Sequence, residues 1–280
     1  MLNTMRSISS RQNPIVSAFR DLAANPSDDG SRLLLDGAHL VHEARIAGLT
    51  LEQVAVARER LDGDGEIEQL ARQLDQDGVD VIAVTTAVMN AMSPVRTPSG
   101  VVAIAARTPV PLAGICQHPH ALIVAPVDVQ DPGNLGALLR AAEAGGATGA
   151  VACGASAHPF SWKAVRGSMG SVLRLPVSPG GSAEALLTCA RKFDVRAVAS
   201  VPRGGKAPEA IDWRRRVLVF VGGEGPGLTP DVIARCDDRV TIPMQPPVES
   251  LNVAVAGALL VYEARRQRQV VGTNVRIPST

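Results

Sequence analysis

Val217-Leu218-Val219-Phe220-Val221-Gly222-Gly223-Glu224-Gly225-Pro226-Gly227-Leu228-Thr229-Pro230 is an apolar run that passes directly into a glycine-rich loop and then into a helix start. Five apolar residues bounded by glycine have the length and composition of a strand buried on both faces. Thr229 suits an N-cap and Pro230 the first helical position. In open α/β sheets, ligands bind beyond the carboxyl ends of the strands. The glycines leave backbone groups bare at that place. Gly223-x-Gly225-x-Gly227 invites comparison with a dinucleotide loop, but only 53 residues follow Gly227, too few for the rest of a doubly wound domain. Pro226 also removes an amide from a phosphate cradle.

Outward from this stretch the chain keeps alternating. Strands are expected at 121–125, 149–152, 172–176, 195–199, 217–221 and 239–242, and helices at 134–145, 182–193, 229–236 and 250–269. That pattern predicts a mostly parallel sheet with crossover helices. A smaller α/β unit precedes it, with helices at 13–24, 38–47 and 66–77 and strands at 33–35, 54–57, 79–84 and 101–105. Between them, residues 107–120 hold turn formers without periodicity and read as a linker. The expected domains are 1–106, a linker at 107–120, and 121–280.

Two further loops of the second domain stand at strand ends. Asp128 to Gly136 leads into a helix that carries Arg140, with Asn134 read as its N-cap. Ile242-Pro243-Met244 through Glu249-Ser250-Leu251-Asn252-Val253 leads into the last helix, with Ser250 read as its cap and Asn252 in its first turn.

Composition narrows the function. Aromatics make up 2% of the chain, too few for a platform that stacks single strands. Cys116, Cys153, Cys189 and Cys236 are far apart, so no metal or redox centre is expected, and reduced thiols in a cytoplasmic protein are. His118 and His120 read as loop histidines. No apolar run reaches the roughly 18 residues that span a bilayer, and Met1 to Asn13 lacks the apolar segment of a signal peptide. The net charge of +1 is neutral on nucleic acid, but arginines gather at Arg6, Arg11 and Arg20, at Arg214 to Arg216, and at Arg265, Arg266, Arg268 and Arg276.

Taken together, Asn134 through Arg140, Gly222 through Leu228 and Ile242 through Val253 resemble the three signature motifs of the SpoU (TrmH-like) RNA 2′-O-ribose methyltransferases. Lys163 through Gly170 fits an intermediate segment. Ser10 to Pro14, Asp36 to Ala44 and Ser99 to Val101 are similar to the ribosomal-protein-like RNA-binding domain often fused to that family.

The resemblance implies a SPOUT-type α/β fold, a parallel-sheet catalytic domain with a deep trefoil knot, preceded by a small α/β RNA-binding domain. It implies a homodimer whose sites draw on both subunits. S-adenosyl-L-methionine would be held by Gly222, Gly223, Ile242, Met244 and Leu251, with help from Ser200. The catalytic set would be Asn134, Arg140, Glu224, Ser250 and Asn252, and Arg11, Arg166 and Ser168 would contact RNA. For Arg140 the family offers the role of base. A guanidinium releases its proton only above about pH 12, which favours a clamp on phosphate and developing alkoxide. Ribosomal RNA is the expected substrate, ahead of transfer RNA. A non-enzymatic RNA-binding or assembly factor and a dinucleotide-dependent enzyme are the competing readings. One departure is Pro246-Pro247, where the family usually carries a glycine.

Overall fold

The structure is a computed structural model, and it describes residues 5–61, 65–225 and 227–271. Pro226 and Arg276 lie outside the described residues. The chain forms two compact units. One takes the residues up to Pro109 together with His158–Arg174. The other takes Val110–Ala157 and the chain from Leu175 on.

The first unit contains β1 (Ser7–Ile8), α1 (Pro14–Ala24), β2 (Arg32–Asp36), α2 (Ala38–Ile46), β3 (Thr50–Ala57), α3 (Glu66–Gln76), β4 (Val81–Val84), α4 (Thr86–Met92) and β5 (Val101–Ala106). Its mixed sheet has the order β1-β4-β3-β5-β2, with β2 and β3 antiparallel to β5. α1 begins at Pro14, and the Asn13 side chain accepts from Ile15 N at 3.0 Å. Its buried Val16 and Phe19 join Ile8, Leu34, Ala55, Ile82 and Val102 in one apolar cluster.

The second unit contains α5 (Leu112–Cys116), β6 (Leu122–Val127), α6 (Pro132–Ala144), β7 (Gly149–Val151), β8 (Val177–Ser178), α9 (Ala183–Lys192), β9 (Arg196–Ser200), β10 (Val217–Gly222), α10 (Pro230–Arg235), β11 (Asp238–Val240) and α11 (Val253–Val271). Between β7 and β8 the chain forms α7 (Trp162–Gly167) and α8 (Ser171–Arg174), which belong to the first unit. The six strands make an all-parallel sheet in the order β11-β9-β10-β6-β7-β8. β6 and β10 are central and almost wholly buried, as parallel strands covered on both faces must be.

Helices α6 and α11 pack closely because glycines face large side chains. A Cβ on Gly257 would collide with Leu138, and one on Gly145 with Val261. Arg268, low on α11, donates to the carbonyls of Trp213, His120, Ala121 and Arg215 at 2.8 to 2.9 Å. It thereby ties that helix to the chain entering β6 and β10.

Several local expectations change. Residues 107–120 are not a bare linker, since they contain α5, with Ile115 and Cys116 buried in the core of the second unit. The strand expected at 172–176 is the helical turn α8. Met169 and Gly170 take positive φ, and Leu173 N bonds to Gly170 O, which closes a turn that strand-favouring side chains alone do not reveal. The segment His158–Arg174 packs with the first unit because Phe160 is buried, lies under the Arg107 guanidinium at 4.1 Å, and fills the space over Gly30.

Most of the arginine clusters serve the fold. Arg6 pairs with Asp80, Arg214 and Arg215 with Asp212, and Arg266 with Glu263. Arg216 donates to the Phe193 and Cys116 carbonyls. Burial pushes the Cys116 and Cys153 thiols up to about 12. No group of His, Cys, Asp and Glu is placed to hold a metal, and no helix is long and apolar enough to cross a membrane, both among the described residues.

Candidate active site

The ends of β9, β10 and β11 surround a cavity of about 480 Å³ in the second unit. Its walls come from the loop after Ser200, the glycine loop after Val221, and the segment from Ile242 to Val253. Ser200, Gly222, Gly223, Ile242, Met244 and Leu251 all line it, and so does Ser250. Val221, Leu228 and Val253 add apolar surface.

The two leading glycines follow from close approach. Gly223 N donates to Val127 O at 2.7 Å, and a Cβ there would run into the Asp128 carbonyl. A Cβ on Gly222 would sit 2.8 Å from Gly227 Cα and from Leu228 N. Asp128 itself has φ 57, and its carboxylate accepts from Ala155 N at 2.7 Å. These contacts join the loops that follow β6, β7 and β10.

At the head of α6, three distant side chains meet. Asn252 Nδ2 donates to Asn134 Oδ1 at 3.0 Å, and Asn134 Nδ2 donates to the Glu224 carboxylate. Asn252 Oδ1 accepts from Ala254 N at 2.9 Å. An ionised carboxylate only accepts and a backbone N–H only donates, so the orientation of both amides is determined from the two ends of the chain of bonds. Each of the three signature segments contributes one member.

Two capping assignments are corrected by this geometry. Asn134 is not the N-cap of α6. Asp131 is, accepting from Asn134 N at 2.7 Å with Pro132 at the first helical position. Likewise Ser250 does not cap α11. The helix starts at Val253, and Asn252 bonds the free amides of Ala254 and Val255. In both cases the asparagine side chain retains a free end for the network.

Arg140 does not line the cavity. It is exposed on α6, on the same stripe as Gly133 and Ala137, and its guanidinium has no hydrogen bond or ion pair among the described residues. Arg11 and Arg166 are exposed in the first unit, and Arg11 Nε donates to Ala87 O at 3.0 Å. Ser168 is wholly buried, and its hydroxyl donates to Val165 O at 2.8 Å, so it shapes the turn before α8 and has no hydroxyl to offer RNA.

Arg203 and Arg239 also line the cavity, and the sequence reading missed both. Arg203 forms an exposed ion pair with Glu249 at 3.1 Å. Its position three residues past a strand end was the available signal. Arg239 lies inside β11, where only the register decides which way a side chain faces. Pro246 and Pro247 line a second cavity of about 360 Å³ that shares Pro202, Arg203, Ile242 and Met244 with the first.

Against known proteins, the chain matches the SpoU rRNA Methylase family over residues 121–262 and the MRM3-like substrate binding domain over residues 28–103. It is 33% identical to an uncharacterized tRNA/rRNA methyltransferase of Synechocystis over 98% of both chains. It is 27% identical to the 23S rRNA (guanosine(2553)-2′-O)-methyltransferase RlmP of Bacillus subtilis, over 93% of this chain and all of that one. Among solved structures, the AdoMet-bound rRNA methyltransferase of Sinorhizobium meliloti superposes with a TM-score of 0.81 at 29% identity, covering 94% of this chain and 98% of that one.

Proposed function

The chain belongs to the SpoU rRNA methylase family, and from that premise we propose that it transfers the methyl group of S-adenosylmethionine to a ribose 2′-hydroxyl of ribosomal RNA. The observation that carries this reading is the bonded set Glu224–Asn134–Asn252, which closes three signature segments into one unit.

The cavity fits the cofactor. About 480 Å³ lies within the range of small-molecule sites. Its apolar walls suit an adenine ring, and the glycines of the loop from Gly222 to Gly227 bring backbone to the cavity with no side chain in the way. When bound, S-adenosylmethionine supplies an electrophilic methyl carried on a sulfonium. The residues of the chain hold and align. Asn134 and Asn252, with amides already oriented, present fixed dipoles to the ribose, and Glu224 fixes Asn134 while placing negative charge near the cationic sulfur. Ser250 positions the loop that carries Leu251. Alignment of hydroxyl and methyl supplies most of the acceleration, and no metal is needed.

Arg140 acts as a cation that grips phosphate and stabilises developing alkoxide charge. Because it stands outside the cavity of its own chain, a second copy supplies it, and the working form is a homodimer. Support comes from α11, whose outward face exposes Val255, Leu259 and Tyr262 to about half their surface while Val253, Leu260, Val261 and Ala264 are buried inside. An apolar row of this kind on a helix marks an association surface.

The knot belongs to the same reading. Its support is that the chain leaves β11 at the edge beside β9 and then packs α11 against α6. Residues 1–106, together with the segment 158–174 that packs with them, serve as the RNA-selecting part, with exposed Arg11 and Arg166 as contacts, and the rest of residues 121–280 serves as the catalytic domain. The place of work is the cytoplasm, where the ribosome is assembled.

The test is incubation of the full chain with labelled S-adenosylmethionine and, in separate reactions, unmodified ribosomal RNA and unmodified transfer RNA, followed by digestion to nucleosides. Label in a 2′-O-methylnucleoside from ribosomal RNA is the expected result. Label only in transfer RNA moves the substrate, and label in neither ends the proposal.

A further inference from the structure

Among the residues that line the 480 Å³ cavity, two carry charge, and both are arginines. Among the described residues, no carboxylate lines it. An apolar site with two cations at its border is built for a ligand with an anionic end.

The two arginines are not equivalent. Arg203 already pairs with Glu249 at 3.1 Å. The Arg239 guanidinium makes no hydrogen bond or ion pair among the described residues. The acids beside it in sequence are committed elsewhere. Asp238 binds both Arg196 and Lys206 at 2.6 Å, and Asp237 accepts from Ala197 N at 2.7 Å. On alternate sides of a strand, Asp238 and Arg239 face opposite ways.

The backbone of Arg239 is well held. It pairs in register with Ala199, one residue before Ser200, and its carbonyl accepts from Lys206 N at 2.9 Å. A fixed strand therefore presents a free planar cation beside a lining hydroxyl.

We propose that Arg239 anchors the α-carboxylate of S-adenosylmethionine. The assignment rests on the reading of this cavity as the cofactor site. Guanidinium offers a carboxylate two parallel N–H donors, a geometry that Lys cannot copy. The anchor makes the cavity select the whole cofactor over fragments that lack the amino-acid tail.

The experiment is calorimetric titration of the full chain, with no turnover involved. The probes are S-adenosylmethionine, S-adenosylhomocysteine, decarboxylated S-adenosylmethionine and 5′-methylthioadenosine. Wild type is expected to bind the two carboxylate-bearing probes about tenfold or more tighter than the two that lack it. Arg239→Gln is expected to remove that preference and to leave 5′-methylthioadenosine affinity unchanged. Arg239→Lys is expected to restore only part of it.

Wild type that binds decarboxylated cofactor as tightly as the intact one overturns the anchor without any variant. So does Arg239→Gln with the preference intact, including the case in which only RNA affinity falls. Transfer of the loss to Arg203→Gln overturns it as well. Wild type that binds none of the four probes refutes the cofactor reading itself, a distinct failure.

Discussion

Asn252 donates its side-chain amide to the Asn134 carbonyl oxygen at 3.0 Å, across 118 residues of sequence. The bond exists because each residue has one end already fixed. The free amides of α11 take the Asn252 oxygen, and Glu224 takes the Asn134 amide. Neither side chain can rotate by half a turn without placing like groups against like.

Asn134→Ala therefore removes the middle of the network. Methyl transfer is expected to fall by about 100-fold or more, the scale seen when one preorganised donor is lost. Stability should change by only about 1 kcal/mol, because the group is exposed and Asp131 still caps the helix. Asn134→Asp, which sets a carboxylate against Glu224, should be no better. Labelled-methyl incorporation beside a urea melt checks both.

Arg140→Ala should leave the melting curve within about 0.5 kcal/mol of wild type, as an exposed, unpaired side chain does when truncated, while activity falls about 100-fold or more. Supply from a second copy has a sharper consequence. Mixing inactive Arg140→Ala with inactive Asn134→Ala and allowing exchange should restore about a quarter of wild-type activity, because each mixed dimer keeps one intact site. No recovery would place Arg140 in its own chain's site or remove it from catalysis.

Gly223→Ala tests the packing of the glycine loop. The added methyl meets the Asp128 carbonyl, which is backbone and cannot step aside. A loss of about 1–3 kcal/mol is expected, together with weakened cofactor binding. A melt that does not move would show that the loop has room to shift.

Burial raises the Asp36 carboxyl above its ordinary 3.8, against the opposing pull of the Ser93 hydroxyl at 2.5 Å and the charge of Arg166. The sign follows from linkage. A carboxyl with a raised folded pKa binds more protons in the folded state, so its contribution is complete below 3.8 and is lost as pH rises through the folded value. Asp36→Asn should then gain on wild type between that region and neutrality. A constant difference across a pH series of melts would contradict the assignment.

Much of this was legible in the sequence. The β/α alternation of the second unit and the cavity-lining residues at strand ends are visible because apolar runs and glycines mark where chain stops and ligand begins. The caps were misread for a physical reason. Asn134 and Ser250 are good capping residues, yet Asp131 precedes Pro132, and proline at the first helical position is the stronger marker. Asn252 follows Ser250 closely enough to take the cap itself. Arg239 stayed hidden because which face of β11 it occupies depends on its pairing with β9, and pairing is not local. The placement of residues 158–174 was hidden too, since the fit of Phe160 over Gly30 joins positions far apart in the chain.

Arg268 and the segment from Ile242 to Val253 leave the ribosome after every strand has been made. The floor of the parallel sheet is clamped only when Arg268 reaches the carbonyls ahead of β6 and β10. Vectorial synthesis therefore yields a nascent chain with its strands complete but its small-molecule chamber open on one side. A stop placed directly after Val240 should release a polypeptide that lacks both clamp and third wall, and cells should clear it as they clear other unfinished folds.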